Sequence, residues 1–131
     1  MRLLAITAFF SLATLPCVAH HSLAAYFDAS KPVLLHGVVT RVDWMNPHIR
    51  FAMDVKDESG KVTNWQFELG SPNALMRSGL SRDSLKIGEE ITVRGCRAKD
   101  SPTEGNATSI WSQDGKAMLS GTVDGQDLVA R

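Results

Sequence analysis

The fold of this 131-residue chain is decided by residues 49–55, IRFAMDV. Large apolar residues occupy every second position of this stretch, which is the pattern of a half-buried β-strand. Residues 65–69, WQFEL, repeat the pattern after a turn at residues 57–60. Matching the two apolar faces predicts an antiparallel pair with Phe51 opposite Phe67, and with Arg50 opposite Glu68 on the outer face.

An earlier strand is predicted from residue 33 to residue 44. Its apolar and β-branched residues at 38, 40, 42 and 44 share one parity. Gly37 lies near its start, where glycine indicates a bulge or a sharp bend in a curved strand. This strand, with the pair above, gives three consecutive strands.

A short helix is predicted after the third strand. Ser71 and Pro72 are typical of an N-cap followed by the first helical position, and Gly79 is typical of a helix end. Leu75 and Met76 are its expected buried contacts. Further strands are predicted around Ile91 and at residues 107–111 and 116–119.

Three strands, a helix and two or three more strands predict an all-β protein with an OB-like barrel of five to six strands and a helix between strands 3 and 4. An open β-sandwich of similar length is the alternative. Trp44, Trp65 and Trp111 each fall within an apolar strand pattern and are expected as core or rim anchors. Cys96 is expected as a small apolar filler in a strand.

The chain begins with a pattern typical of an export signal. A basic residue, an apolar run and the small residues before position 20 predict cleavage after Ala19. The expected organisation is therefore a signal peptide (1–19), an N-terminal arm (20–32), the barrel (33–119) and a flexible tail (120–131). Export predicts a periplasmic protein, and loss of Cys17 with the signal leaves Cys96 as the single cysteine, so no intrachain disulfide is expected.

Three segments resemble the signature of one protein family. They are residues 20–22 (HHS), 42–48 (VDWMNPH) and 65–75 (WQFELGSPNAL), and together the resemblance covers nearly all of the chain after residue 19. The family is the domain-of-unknown-function family 6152, a set of small exported bacterial proteins. The resemblance implies a periplasmic protein with an OB-like barrel, and it supplies no activity.

Cleavage after Ala19 would place His20 and His21 at a new N-terminus. An α-amine and imidazole nitrogens are ligands that favour Cu(II), then Ni(II) or Zn(II). His48, which opens the second strand, is the expected third ligand of such a metal site. Cleavage after Val18 would instead place histidine third in the chain, where it chelates Cu(II) without needing His48.

The outer face of the second and third strands is a second candidate site. Its predicted ligand-binding residues are Arg50, Asn64, Gln66 and Glu68, on the face that OB folds commonly use for ligands. Glu68 has two interpretations here, as an ordinary ion-pair partner of Arg50 or as an oxygen ligand or base near His48. His36, on another strand, is expected at the surface.

The composition excludes several functions. Fourteen basic residues balance fourteen acidic ones, and the outer face carries no aromatic platform, so nucleic acid is not an expected partner. No nucleophile elbow, phosphate loop or paired-cysteine site is present in the sequence. The sequence favours a non-catalytic periplasmic binding or accessory module for a small polar ligand or a protein partner, with a copper-binding protein as the alternative.

Overall fold

The computed structural model of the chain describes residues 23–121. Two short helices and six strands follow one another along this part of the chain. They are α1 (Leu23–Tyr26), β1 (Phe27–Asp43), β2 (Arg50–Lys56), β3 (Val62–Glu68), α2 (Pro72–Arg77), β4 (Glu90–Ala98), β5 (Glu104–Ser112) and β6 (Ala117–Leu119). Neither helix is long and apolar enough to cross a membrane.

The strands form one sheet in the order β3-β2-β1-β4-β5-β6. A parallel pairing of β3 with β5, at residues 66–68 and 104–106, joins the sheet to itself. This closed order, with α2 between β3 and β4, is that of an OB-like barrel, so the predicted fold class is confirmed. The alternative of an open sandwich is excluded by the closure.

The register of β2 and β3 is the one that the apolar faces predict. Phe51 lies opposite Phe67, Met53 opposite Trp65, and Arg50 opposite Glu68. The rings of Phe51 and Phe67 stack with their centroids 5.4 Å apart. Both rings are almost fully buried, and each contributes about 1.5–3 kcal/mol of hydrophobic stabilisation.

All six strands contribute side chains to the barrel interior, although the first residues of β1 do not. Its buried members are Val39, Ile49, Phe51, Met53, Phe67, Leu69, Leu75, Leu80, Leu85, Ile91, Val93, Ala107, Ile110 and Leu119. Trp44 and Trp65 pack against this core from partly buried positions. Cys96 is fully buried on β4 with Phe27 and Ala98 in a second, smaller cluster.

Helix α2 begins and ends where the sequence predicts. The Ser71 hydroxyl accepts a hydrogen bond from the backbone N–H of Ala74, Pro72 occupies the first turn, and Gly79 follows with φ +94°. Leu75 is fully buried, as expected, but the expectation for Met76 is wrong, because its residue is 53 % exposed. Successive helical residues lie about 100° apart around the helix axis, so Ala74 and Leu75 share the buried side of α2 while Met76 lies outside it.

Strand β1 differs from its prediction in two ways. It begins at Phe27, so residues 27–32 of the expected arm belong to the strand, which pairs with the end of β4 through Phe27 and Pro32. An irregularity between Val39 and Arg41 shifts the register against β2. Val39 is therefore the buried residue while Thr40 is exposed, and the predicted single parity from 38 to 44 is wrong.

Candidate functional site

Glu68 is the centre of a polar group on the outer face of β2 and β3. One of its carboxylate oxygens, Oε1, lies 2.7 Å from Nδ1 of His48, and the other, Oε2, accepts a hydrogen bond from Nη2 of Arg50 at 3.1 Å. The Glu68 side chain is 18 % exposed, against 31 % for His48 and 64 % for Arg50. Glu68 thus serves both of the partners that the sequence offered as alternatives.

The backbone around these residues explains why they meet. A cis peptide bond between Asn46 and Pro47 lies in the turn that leads from β1 to His48. The next residue, Ile49, is fully buried and exchanges backbone hydrogen bonds with the chain after β3: its N–H donates to Gly70 and its carbonyl accepts from Leu69. This extends the ladder beyond Arg50 and holds His48 beside the end of β3.

The contact with Glu68 defines the hydrogen-bonding role of Nδ1 of His48. A carboxylate only accepts hydrogen bonds, so Nδ1 of the imidazole carries a hydrogen and donates a hydrogen bond to Oε1. In the neutral ring this leaves Nε2 as an acceptor with a free lone pair. The ring is oriented in the way that a carboxylate orients a metal-binding or base histidine.

A cavity of ≈ 610 Å³ lies beside this polar group. His48, Arg50, Gln66 and Glu68 form one wall. Most of the remaining lining residues come from the start of the described chain and from the region where β4 ends and β5 begins, while Pro47 precedes β2 and Phe67 belongs to β3. They are Leu23, Tyr26, Phe27, Pro47, Phe67, Ala98, Asp100, Ser101, Glu104 and Gly105. Its size is that of a typical small-ligand pocket.

The N-terminal wall of the cavity is attached to β4. The Nζ of Lys99 donates a hydrogen bond to the carbonyl of Ala24 at 2.6 Å, and the backbone N–H of Lys99 donates to the carbonyl of Tyr26. Phe27 packs with Ala98 and Cys96, and Leu23 packs against them. Residues 23–27 are therefore fixed to the barrel as one side of the pocket.

Asp28, directly after this wall, is a strongly acidic group. The Ser30 hydroxyl, the Ser30 backbone N–H and Lys31 lower the pKa of the Asp28 carboxyl from its ordinary value to about 2. Hydrogen bonds from Ser59 likewise lower the pKa of Asp57, and one from the Ser112 hydroxyl lowers that of Asp114. These two carboxylates stabilise the β2–β3 and β5–β6 turns.

The structure brings together part of the predicted ligand-binding face. Arg50, Gln66 and Glu68 line the cavity with His48, whereas Asn64 does not. The Asn64 amide instead donates to Asp54 at 2.7 Å and to Thr40 at 3.3 Å. Asn64 lies two residues before Gln66 in β3, and its hydrogen bonds are those of an ordinary cross-strand residue.

The predicted metal ligands are placed only in part. His48 is described, and His20 and His21 lie outside the described residues. Residues 23–121 contain no group of three or more histidine, cysteine or acidic side chains that could hold a metal ion. His36 is exposed, with Nε2 3.8 Å from a carboxylate oxygen of Glu90.

Sequence reasoning missed the walls of the cavity. Asp100, Ser101 and Glu104 fall between the predicted strands, and residues 23–27 fall within the predicted arm. The signal that could have found them is the pairing of β3 with β5, because closing a barrel in this order brings the β4–β5 loop next to the end of β3. Asn106 confirms the proximity: its Nδ2 donates to the Glu68 carbonyl.

Comparisons with known proteins bear on the family and not on an activity. Among solved structures, the mitochondrial single-stranded DNA-binding protein Rim1 of S. cerevisiae matches with a TM-score of 0.48 and 8 % identity, over 70 % of this chain and 96 % of that one. No curated protein sequence matches the chain. The profile of a family of unknown function matches residues 8–124. This match covers most of the chain and confirms the resemblance, so the protein belongs to the family of unknown function DUF6152.

Proposed function

We propose that this protein is an exported, non-catalytic binding module that holds a small ligand in the cavity beside His48 and Glu68. The observation that carries the proposal is the fixed polar wall of that cavity. Glu68 is held on both oxygens, by His48 at 2.7 Å and by Arg50 at 3.1 Å, and the free Nε2 of His48 remains available. Small-ligand sites combine a few positioned polar groups with a mainly apolar lining, and this cavity has both.

Ordinary ion pairing does not account for the arrangement. An exposed Arg–Glu pair contributes no more than about 1 kcal/mol, and Arg50 is mostly exposed. Glu68 also makes a directional contact with His48, because Nδ1 of the imidazole lies 2.7 Å from Oε1 of the carboxylate. Such a contact orients the histidine ring. Residues 23, 26 and 27 and residues 100, 101, 104 and 105 line the same cavity as His48.

The experiment is an NMR titration of the ¹⁵N-labelled protein with three ligands of one shape and different charge: phenethylamine, 2-phenylethanol and phenylacetate. Each is added to about 10 mM, which detects dissociation constants in the millimolar range. We expect at least one of them to shift the amides of Gln66 and Glu104 saturably. We also expect His48→Gln to weaken that binding at least about fivefold.

The matched control is His36→Gln, because His36 also faces a glutamate, Glu90, but lies outside the cavity. Its binding should equal that of the wild type. Absence of saturable shifts with all three ligands, or equal losses in the two histidine variants, would contradict the proposed function.

A metal site is the second candidate function, and the orientation of His48 favours it. A metal-binding histidine commonly donates its other ring N–H to a carboxylate, as His48 does to Glu68. Leu23, the first described residue, lines the same cavity as His48. His20 is three residues before it, within about 11 Å of chain at about 3.6 Å per residue.

A Cu(II) titration of the exported protein tests this candidate, with mass spectrometry to establish the N-terminus. One-to-one binding that is lost with an extra N-terminal residue and weakened about tenfold or more by His48→Ala, but not by His36→Ala, supports a site formed by His20, His21 and His48. Retention in His48→Ala with loss on N-terminal extension indicates a chelating N-terminus alone. Absence of binding contradicts the metal site. The same mass measurement tests the proposed cleavage after residue 19.

A further inference from the structure

We propose that the ligand of this cavity is a protonated organic amine with an apolar body. This inference rests on the binding function proposed above and adds the chemical class of the ligand. Three properties of the lining carry it: its charge, the hydrogen-bonding state of His48 and its aromatic content.

The charge of the lining is negative. Glu68 is balanced by Arg50, but Asp100 and Glu104, which also line the cavity, form no salt bridge with any residue between 23 and 121. The other cations at the end of β4, Arg97 and Lys99, are not among the lining residues. Two carboxylates therefore face the cavity without a counter-charge, and they attract a cation and repel an anion.

On the polar wall, the hydrogen-bond acceptor for a ligand is supplied by His48. Glu68 already accepts hydrogen bonds on both of its oxygens. Because Nδ1 of His48 donates to Glu68, its Nε2 accepts in the neutral ring. An acceptor at this place selects a ligand that carries an N–H or O–H donor, and beside two carboxylates an ammonium N–H is the best match.

The apolar part of the lining suits the rest of such a molecule. Tyr26, which is 56 % exposed, is the accessible aromatic residue of the lining, and Leu23 and Pro47 contribute aliphatic surface, whereas Phe27 and Phe67 are buried. Aromatic rings attract a cation through their negative faces, by about 0.5–2 kcal/mol according to exposure. A volume of ≈ 610 Å³ accommodates an arylalkyl or alkyl amine.

The charge-matched ligands described above test this inference separately from the proposed function. We expect phenethylamine to bind at least about tenfold more tightly than 2-phenylethanol, and phenylacetate to bind more weakly than either. The affinity of phenethylamine should fall with added sodium chloride, because salt screens exposed carboxylates. Tighter binding of phenylacetate or 2-phenylethanol would overturn the amine while supporting the cavity as a binding site.

The carboxylates are tested by Glu104→Gln and Asp100→Asn, which keep the side-chain shape and remove the charge. Each should weaken phenethylamine at least about threefold and leave 2-phenylethanol unchanged. Glu58→Gln is the matched control, since Glu58 is also exposed but lies in the turn between β2 and β3. Equal effects of Glu58→Gln and Glu104→Gln, or none in either, would overturn the assignment. Thermal unfolding of each variant shows whether it has kept its fold.

Discussion

Replacing Gly95 by alanine tests how closely β4 and β5 approach each other in the barrel wall. A Cβ added at residue 95 would lie 1.8 Å from the carbonyl oxygen of Asn106 and 2.9 Å from its carbonyl carbon. Carbon and oxygen that are not bonded normally stay about 3.3 Å apart. One strand must therefore move by more than about 1 Å, and no side-chain rotation relieves the overlap because the obstacle is backbone.

The cost of this substitution is steric, since Gly95 is not among the glycines with positive φ. Overpacking a well-filled region usually costs about 1–3 kcal/mol and sometimes more. With backbone as the obstacle, we expect a loss of at least about 3 kcal/mol in the free energy of unfolding. That corresponds to a decrease in Tm of more than about 12 °C for a domain of this size.

Urea unfolding measures the loss, and Gly115→Ala is its control. Gly115 has φ +80° and nothing within 4 Å of an added Cβ, so alanine there meets only the left-handed backbone penalty of about 1–2 kcal/mol. A loss below about 1 kcal/mol for Gly95→Ala, with an unchanged dependence on urea, would refute the reasoning. A larger loss for Gly115→Ala than for Gly95→Ala would do so too.

Three further substitutions have defined outcomes. Leu75→Ala should lower the free energy of unfolding by about 2–5 kcal/mol in urea, while the neighbouring, exposed Met76→Ala should change it by less than about 0.5 kcal/mol; similar losses would contradict the burial of α2. Ser71→Ala should cost about 1 kcal/mol by removing the hydrogen bond to the Ala74 N–H, and Ser81→Ala, outside the helix, is the comparison. Asp28→Asn should lower Tm at neutral pH. The lowered pKa of Asp28 means that its stabilisation is complete above the ordinary value of 3.8 and is lost as pH falls through about 2, so a Tm difference that grows on acidification would contradict it.

The central part of the fold was predictable because its signals are local. Alternating apolar residues in β2 and β3 determine which faces are buried. Matching these two faces predicts the register in which Phe51 lies opposite Phe67. The N-cap at Ser71 and the positive φ of Gly79 are also local properties, since each depends on a few neighbouring residues. These elements required no knowledge of the rest of the chain.

Strand β1 was harder because its shape depends on its partners. Residues 28–31, DASK, are short and polar and carry no strand pattern of their own. They lie within β1 because the strand continues along the end of β4, with an irregularity between Phe27 and Pro32. The irregularity between Val39 and Arg41 likewise arises against β2 and reverses the parity that the sequence alone suggests.

The candidate site combines both kinds of information. Glu68, Arg50 and His48 were predictable as neighbours, because one antiparallel register places all three at the same end of the pair. The cavity in front of them depends on the parallel contact of β3 with β5 and on residues 23–27 bound to Lys99. The same closure places Glu104 beside Gln66, and Asp100 and Glu104 line the cavity together with His48; in our proposal these two carboxylates make the site cation-selective. In our proposal this polar strand face becomes a binding site only when the barrel closes, so the proposed ligand chemistry follows from the closed barrel and not from the strand pattern.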